Sequence, residues 1–301
     1  MATLGIDLGG TKIALGVLAG GRLVYKDRIA TPREGWEAVL RAMAVAAWKA
    51  LAASPVPVEA VGIGAPGSLD FDSGIVNFAP NIPGFRDVPL RESLQEALGL
   101  PAAIENDANA AALAEHHLGA ARGAGSSFFV TVSTGIGGGL VANGRVWRGA
   151  FGQAGEIGHL TVLPGGPVCG CGNRGCLEAL ASGRALARDA SYAYAGAVDA
   201  PELFRRWRAG DALARRIVEG AAGYLGQALA DVQKLWDPEV IVIGGGVAVG
   251  AGDAWRELVS AAYKSRATGW RTAPLLPALL GADAGVIGAA LAAKDALPGG
   301  E

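Results

Sequence analysis

Three cysteines have the clearest chemistry of any residues in this 301-residue sequence. They lie within eight positions and are the only cysteines in the chain: Cys169, Cys171 and Cys176. An odd, closely spaced set is typical of metal ligation rather than of disulfide bonding in a reducing compartment. His159, upstream of the cluster, is predicted to complete a tetrahedral zinc site. Because four protein ligands fill the coordination shell, we expect a structural zinc ion.

The other two histidines, His116 and His117, are alternative fourth ligands. They fall at the end of a predicted helix whose exposed face would accept them, so His159 is favoured. Glu156 and Glu178 lie on either side of the cysteine loop. A lone glutamate is usually a solvated surface residue, but a zinc ion that fixes the loop would also fix these two carboxylates. Such carboxylates suit charge-assisted hydrogen bonds to a polyol.

Two glycine-rich turns carry hydroxyl side chains. The first reads Asp7-Leu8-Gly9-Gly10-Thr11-Lys12, and its consecutive glycines allow backbone amides to approach phosphate oxygens. In this interpretation Asp7 holds Mg²⁺ through water and Thr11 donates to a phosphate; a plain glycine-rich turn is the alternative. The second turn spans residues 133–139, and two such turns, one per lobe, could grip a nucleotide phosphate chain. Neither fits the Walker or the dinucleotide-binding pattern.

A polar triplet, Glu105-Asn106-Asp107, ends a predicted strand and begins an alanine-rich helix over 108–118. Asn and Asp are favoured helix N-caps, and at an isolated junction capping is the commoner role. A carboxylate at a strand end beside a cleft between lobes also suits a general base. Both interpretations stay open, and Asn106 and Asp107 could divide the two roles. Two rigid proline-containing turns, 64–67 and 79–85, indicate no function alone, although Asn81 is the one polar side chain of the second.

The order of apolar runs predicts a mixed sheet with helices on both faces. The first half reads as strands at 4–8, 13–18 and 22–30, a helix at 34–53, a strand at 58–64, a loop to about 88, a short helix and a strand at 102–105. The first strand, glycine turn and return strand are repeated later in the chain, by a strand at 128–131, the second glycine turn and a return strand at 139–143. This repeat indicates two related lobes. The remaining predictions are a helix from about 177, a helix at 211–236, a strand at 240–243 and a helix at 284–296 that packs back on a sheet.

Composition excludes several classes of protein. The length exceeds the usual ~100–200 residues of one domain, which favours two lobes. The hydrophobic fraction is 51% and mean hydropathy is +0.31, yet no segment reaches the roughly 18 apolar residues of a membrane span. The strand-like start argues against a signal peptide, so we expect a cytoplasmic protein with no membrane partner. A net charge of −2 and a pI near 6.0 give no basic face for nucleic acid.

Taken together, these motifs resemble the ROK family of bacterial sugar kinases and repressors, and within it the glucokinase branch. The resemblance covers almost the whole chain and rests on residues 7–12, 106–109, 133–139, 155–159, 169–176 and 244–246. It implies an α/β fold of the actin-like, hexokinase (ribonuclease H-like) type, with a structural zinc loop and two lobes that close on the substrates. The implied lobes are 1–107 with 285–301, where the C-terminal helix returns, and 108–284.

The resemblance also implies roles for individual residues. Asp107 is similar to the catalytic base of the family. The implied sugar contacts are Gly67, Asn81, Asn106, Asp107, Glu156, His159 and Glu178. The implied ATP and phosphate contacts are Asp7, Gly9, Gly10, Thr11, Lys12, Thr134, Gly135 and Gly245. The resemblance further implies Zn²⁺ bound to His159, Cys169, Cys171 and Cys176, and Mg²⁺ bound with ATP. It also implies a hexose substrate, most simply glucose, and a homodimer or homotetramer.

Three other functions remain as alternatives. A kinase for mannose, fructose or N-acetylmannosamine would differ from a glucokinase by single hydrogen bonds to the sugar. A sugar-sensing regulator of the same family would need an additional N-terminal DNA-binding module, whereas the phosphate turn here starts at Asp7. An actin-like chaperone or cytoskeletal ATPase would not need carboxylates fixed by zinc, and a purely structural zinc module would leave both glycine turns unexplained.

Overall fold

The computed structural model describes residues 1–297, which fall into two compact units. The first unit contains Met1–Gly123, Gly139–Ala154 and the described part of Leu279–Glu301. The second contains Ala124–Gly138 and Gly155–Ala278. The lobe limits expected from the sequence, 1–107 with 285–301 and 108–284, stay a prediction.

The first part of the chain builds a five-stranded mixed sheet with the order β3-β2-β1-β4-β8. Its elements are β1 (Ala2–Leu8), β2 (Lys12–Ala19), β3 (Arg22–Ala30), α1 (Trp36–Ala53), β4 (Ala60–Ala65), β5 (Ser68–Asp70), β6 (Ile75–Phe78), β7 (Arg86–Val88), α2 (Leu90–Leu98), β8 (Ala102–Asn106) and α3 (Asp107–Leu118). β1 runs antiparallel to β2 and parallel to β4, and β4 runs parallel to β8. The predicted mixed sheet is confirmed.

Strand register places three site segments at one edge of this sheet. Asp7 on β1 pairs with Gly64 on β4, and Gly64 pairs with Glu105 on β8. The neighbouring residues Thr3 and Leu4 of β1 point to opposite faces and are both buried, which is typical of a central strand covered on both faces. The first glycine turn and the start of α3 therefore leave the sheet at the same end of β1 and β8.

The second half of the chain repeats that sheet order. Its elements are β9 (Ser126–Val132), β10 (Ile136–Ala142), β11 (Arg145–Val146), α4 (Glu178–Ala181), α5 (Gly183–Ala193), α6 (Ala200–Arg208), α7 (Ala212–Trp236), β12 (Val240–Gly244), α8 (Gly246–Ala251), α9 (Asp253–Arg266), β13 (Leu275–Pro277) and α10 (Ala284–Ala292). The second sheet has the order β11-β10-β9-β12-β13, with β12 parallel to β9 and to β13. This order corresponds strand by strand to the first sheet and confirms the predicted repeat.

Helix α10 packs directly on the first sheet. Thr3 Oγ1 donates a 2.6 Å hydrogen bond to the carbonyl of Ala290. A side chain on Gly5 or Gly62 would overlap the backbone of this helix, so only glycine permits so close an approach. The predicted helix over 284–296 ends at Ala292 and continues as a 3₁₀ turn, Ala293–Ala296.

The structure corrects two local predictions. The segment from Leu177 forms two helices, because Ser182 interrupts the helix in an extended conformation and caps α5 by accepting from the amide of Ala185. The region expected as a loop up to residue 88 contains the small antiparallel sheet β5-β6-β7, whose short strands carry little periodic signal. Within residues 1–297, no helix has the length and apolar character needed to cross a membrane.

Candidate active site

The first glycine turn is closed by its own backbone and tied to β3. The amide of Gly9 donates to the carbonyl of Lys12 at 3.0 Å. Thr31 lies just beyond β3, and its Oγ1 donates to the carbonyl of Gly9 at 2.6 Å. Its backbone amide donates to the carbonyl of Thr11 at 3.1 Å. Thr31 is buried and was not singled out in the sequence, because its role depends on a contact across 22 residues.

Asp7 lies at the base of this turn against the first turn of α10. A Cβ added to Gly285 would be 2.7 Å from the carboxyl carbon of Asp7. Burial raises the pKa of Asp7, and the nearby charges of Lys12 and Arg28 oppose that rise. A carboxylate enclosed in this way would gain from a cation, which is consistent with a magnesium-binding role.

The two proline-containing loops also meet the first turn. The backbone of Asn81 packs against Gly10, where an added Cβ would lie 2.7 Å from the Asn81 carbonyl oxygen. Gly67 has φ of +90°, and a side chain there would overlap the carbonyl of Phe78. Gly67 is therefore required by the backbone, and the Asn81 side chain is exposed next to the glycine turn.

Asn106 is the N-cap of α3, and Asp107 is the first residue of that helix. Oδ1 of Asn106 accepts from the amides of Ala108 and Asn109 at 2.9 and 3.3 Å. Oδ1 of Asp107 accepts from the amide of Ala108 at 2.8 Å, and its side chain is exposed. The Asp107 side chain is thus oriented at the start of α3 and exposed, so a ligand hydroxyl could come within hydrogen-bond reach of it.

In the second unit, the start of α5 holds the second glycine turn. The amide of Gly183 donates to the carbonyl of Ser133 at 2.7 Å, and that of Arg184 to the carbonyl of Thr134 at 3.3 Å. Gly245 follows β12, which pairs with β9, and has φ of +93°. A side chain on Gly245 would overlap the backbone of Val132, so this glycine permits close packing at the same edge as the turn.

Glu178 contacts the second glycine turn directly. Its Oε2 accepts from the amide of Ile136 at 3.0 Å. A Cβ added to Gly135 would overlap the same oxygen. The guanidinium of Arg184 lies 3.4 Å from Oε1 of Glu178. Glu178, which is expected to contact sugar, therefore also stabilises the turn that is expected to contact phosphate.

His159 and the three cysteines converge on one point of the second unit. Their ligand atoms all lie within 4.8 Å of one another. Sγ of Cys169 is 3.7 Å from Nδ1 of His159, and Sγ of Cys171 is 3.7 Å from that of Cys176. A zinc–sulfur bond is about 2.3 Å, so the edge of a tetrahedral site is about 3.7 Å, whereas a disulfide needs about 2.05 Å. The four residues therefore fit a tetrahedral metal ion.

Burial raises the pKa of the Cys176 thiol to about 12. A metal ion would have to displace this proton, because thiolate rather than thiol is the ligand. The other two histidines take no part in the cluster: His116 is buried in α3, and Nε2 of His117 lies 2.9 Å from the carbonyl oxygen of Gly144.

Glu156 lies on the other side of the His159 ring. Its Oε2 is 3.9 Å from Nε2 of His159. Nδ1 of the imidazole therefore faces the cysteines, and Nε2 faces Glu156. Desolvation raises the pKa of Glu156, although about half of its side chain is exposed, and the charge of His159 opposes the rise. One ring is thus placed to serve a metal and a polar ligand.

Known proteins resemble this chain along its whole length. Residues 3–296 match the ROK family. A glucokinase of Halalkalibacterium halodurans is 40% identical, covering 95% of this chain and 92% of that protein. An N-acetylmannosamine kinase of Escherichia fergusonii is 38% identical, covering 98% of this chain and 99% of that protein.

Two solved structures show the same fold. A ROK hexokinase from Thermus thermophilus has a TM-score of 0.93 at 57% identity, covering 97% of this chain and 98% of that one. A ROK family glucokinase from Streptomyces griseus, in complex with glucose and AMPPNP, has a TM-score of 0.84 at 37% identity and covers 98% of this chain and 100% of that one. The α/β hexokinase-type fold expected from the sequence is confirmed.

Proposed function

Because this chain belongs to the ROK family, we propose that it is an ATP-dependent sugar kinase, and that glucose, phosphorylated on its 6-hydroxyl, is the preferred substrate. The observation that carries the proposal is the placement of Asp107. This exposed carboxylate begins α3 at the sheet edge from which the first glycine turn also emerges. A base and a phosphate-binding turn fixed by one sheet suit transfer of a phosphoryl group to an alcohol.

Phosphoryl transfer depends mainly on positioning and charge neutralisation. In the proposed reaction the sugar oxygen forms a bond to the γ-phosphorus, and the bond from that phosphorus to the β–γ bridging oxygen breaks to release ADP. The hydroxyl proton passes to the carboxylate of Asp107. General-base assistance of this kind typically contributes ~10²–10⁴-fold in rate.

We assign nucleotide binding to the two glycine turns and to Gly245. The assigned residues are Asp7, Gly9, Gly10, Thr11, Lys12, Thr134, Gly135 and Gly245. Backbone amides at such turns can donate to phosphate oxygens without side-chain interference. Lys12 and Thr11 are both exposed, so a charged donor and a hydroxyl donor are available there. Mg²⁺ bound with ATP would neutralise charge on the β- and γ-phosphates.

Sugar binding is assigned to seven residues. They are Gly67, Asn81, Asn106, Asp107, Glu156, His159 and Glu178. Asn106 offers its amide group beside Asp107, and Glu156 and Glu178 can accept charge-assisted hydrogen bonds from sugar hydroxyls. With Nδ1 of His159 on a metal, Nε2 would carry a hydrogen and donate to the sugar.

We propose that the four-residue cluster holds zinc in a structural role. Three thiolates and one imidazole leave no ligand position for substrate, so the ion would order the loop instead of polarising a reactant. The loop contains a bridge between Val168 and Arg174 but little buried apolar surface of its own. Zinc binding would supply the folding free energy that such a loop lacks.

A second substrate has support of its own. The N-acetylmannosamine kinase of Escherichia fergusonii is nearly as similar to this chain as the glucokinase of Halalkalibacterium halodurans, at 38% against 40% identity. N-acetylmannosamine is therefore the leading alternative hexose, ahead of mannose and fructose. The two acceptors differ at carbon 2, where N-acetylmannosamine has an acetamido group instead of a hydroxyl and the opposite configuration.

The deciding experiment is ADP release measured by a coupled assay with glucose, mannose, fructose and N-acetylmannosamine, each at several concentrations. We expect the highest kcat/KM with glucose. The highest value with N-acetylmannosamine would establish the alternative, and the absence of sugar-dependent ADP release with any of the four would exclude the kinase proposal. A cytoplasmic location and a homodimer or homotetramer stay predictions, and light scattering during gel filtration would test the latter.

A further inference from the structure

One side chain next to the proposed catalytic pair is completely enclosed. Glu105, the residue before Asn106, has no exposed surface. Its Oε1 accepts from the backbone amide of Asn106 at 2.9 Å and from Nδ2 of Asn109 at 3.0 Å. Its Oε2 accepts from Nε of Arg148 at 2.8 Å and from Nη2 of the same residue at 2.7 Å. Both oxygens are thus fully hydrogen-bonded.

An ionised carboxylate in this position needs a cation, because burying an unpaired charge is very unfavourable. Arg148 supplies it across 43 residues of sequence. The guanidinium lies 5.0 Å from the ring centre of Phe71, and its Nη2 is 3.2 Å from Asp295 in the C-terminal 3₁₀ turn. Arg148 is therefore itself held on three sides.

The two groups bound by Oε1 bracket Asp107 in the sequence. Asn106 precedes it and Asn109 follows two residues later, so Glu105 is hydrogen-bonded on either side of the residue proposed as base. β8 is the last strand of its sheet, and among residues 1–297 no further strand of that sheet supports its outer side. Hydrogen bonds to Glu105 replace that support where β8 turns into α3.

We propose that Glu105 and Arg148 are positioning residues for Asp107, acting through Asn106 and Asn109 and not by contact with substrate. Arg148 pairs with the Glu105 carboxylate and orients it, and Glu105 holds the turn that aims Asp107. This inference rests on the proposed kinase function, since it concerns the same reaction. A purely stabilising ion pair is the competing explanation.

Arg91 provides a matched control. It is also partly buried and lines the same groove as Arg148, but its guanidinium donates to the carbonyls of Phe71 and Asp72 at 3.0 and 2.7 Å. We expect Arg148→Met to lower kcat by about 10- to 100-fold, since misplacement of a catalytic group by ~1 Å has effects of this size. KM for the sugar should change little, Arg148→Lys should recover part of kcat, and Arg91→Met should keep the wild-type kcat.

Stability and positioning are separated by the double variant Glu105→Leu/Arg148→Met. Replacing both members of a buried ion pair with apolar side chains commonly preserves stability, but it removes the acceptor for Asn106 and Asn109. The proposal predicts that kcat stays low even where Tm approaches that of the wild type. A kcat that returns to the wild-type level together with Tm, or an equal loss in Arg91→Met, would overturn it.

Hydrogen exchange tests the same proposal without any turnover. The amides of 106–109 should exchange faster in the double variant than in the wild type, and should be unchanged in Arg91→Met. Unchanged exchange in the double variant would overturn the positioning role even if the protein is an active kinase. A wild type that is inactive on every sugar but shows the predicted exchange would exclude the proposed function and keep the structural part of the inference.

Discussion

Asn106 and Asp107 share one backbone donor, because the amide of Ala108 lies 2.9 Å from Oδ1 of Asn106 and 2.8 Å from Oδ1 of Asp107. Asn106 alone is enough to cap α3, since it also accepts from Asn109. The helix cap therefore does not depend on the carboxylate of Asp107. We predict that Asp107→Asn lowers kcat by ~10²–10⁴-fold and keeps Tm and sugar affinity near the wild-type values, measured by ADP release, thermal denaturation and calorimetric titration.

The control is Asp199→Asn. Asp199 caps α6 by accepting from the amide of Glu202 at 2.8 Å, and asparagine caps helices about as well as aspartate. This variant should keep both Tm and kcat. If Asp107→Asn kept its turnover, Asp107 would contribute only to the N-terminus of α3 and not to catalysis.

A second prediction concerns pH and Asp7. Burial raises the pKa of Asp7 above its ordinary value of 3.8, so the unfolded chain ionises first as pH rises. The free energy of unfolding therefore falls as the pH rises from that value to the raised pKa of the folded state. It stays lower at neutral pH. Without nucleotide or Mg²⁺, Asp7→Asn should have a higher Tm than the wild type at pH 7, and the difference should vanish below about pH 3.8.

Asp27 should affect the pH dependence of stability in the opposite direction to Asp7. A hydrogen bond from Lys49 lowers the pKa of Asp27, so its contribution to stability is present near neutral pH and is lost in acid. Asp27→Asn should therefore lower Tm slightly at pH 7, in keeping with an exposed pair. A Tm for Asp7→Asn below that of the wild type at pH 7 would contradict an unfavourable buried charge.

Local sequence patterns predicted most of this fold, and long-range contacts account for what they missed. The hairpin around Asp7 and the paired glycine turns were predictable because apolar alternation and glycine spacing are properties of adjacent residues. The bonds from Arg148 to Glu105 and from Ile136 to Glu178 join residues 43 and 42 positions apart. Nothing in either local sequence marks its partner.

The same distinction explains the partial success at the candidate site. The cysteine spacing predicted a cluster, and the structure brings all three thiols to His159. Glu178 was expected to contact sugar only, and its contact with the second glycine turn emerged from the packing of α4 against that turn. The interruption at Ser182 was missed because a serine inside an apolar helical pattern is only a weak signal for a cap.

The third prediction tests the metal ligands with variants of one cysteine and of two of the three histidines in the chain. Metal analysis of the purified protein should find about one zinc per chain, and His159→Ala and Cys171→Ser should lose most of it, because a tetrahedral site needs all four ligands. His117→Ala is the control, since His117 lies against Gly144 in the other unit. Zinc retained by Cys171→Ser, or lost from His117→Ala, would contradict the proposed ligand set.

The last prediction concerns the space between Gly135 and Glu178. A methyl group on Gly135 would overlap Oε2 of Glu178, the atom that accepts from the amide of Ile136. Either Glu178 moves or the turn does, so Gly135→Ala should raise KM for both ATP and the sugar by roughly 10-fold or more. Gly220→Ala is the control, because Gly220 is an exposed position of α7 where a Cβ meets nothing within 4 Å. This substitution should stabilise the protein by about 0.4–1 kcal/mol. An increase in KM for ATP alone would mean that the turn moved while Glu178 kept its position, and wild-type kinetics would mean that neither substrate depends on this contact.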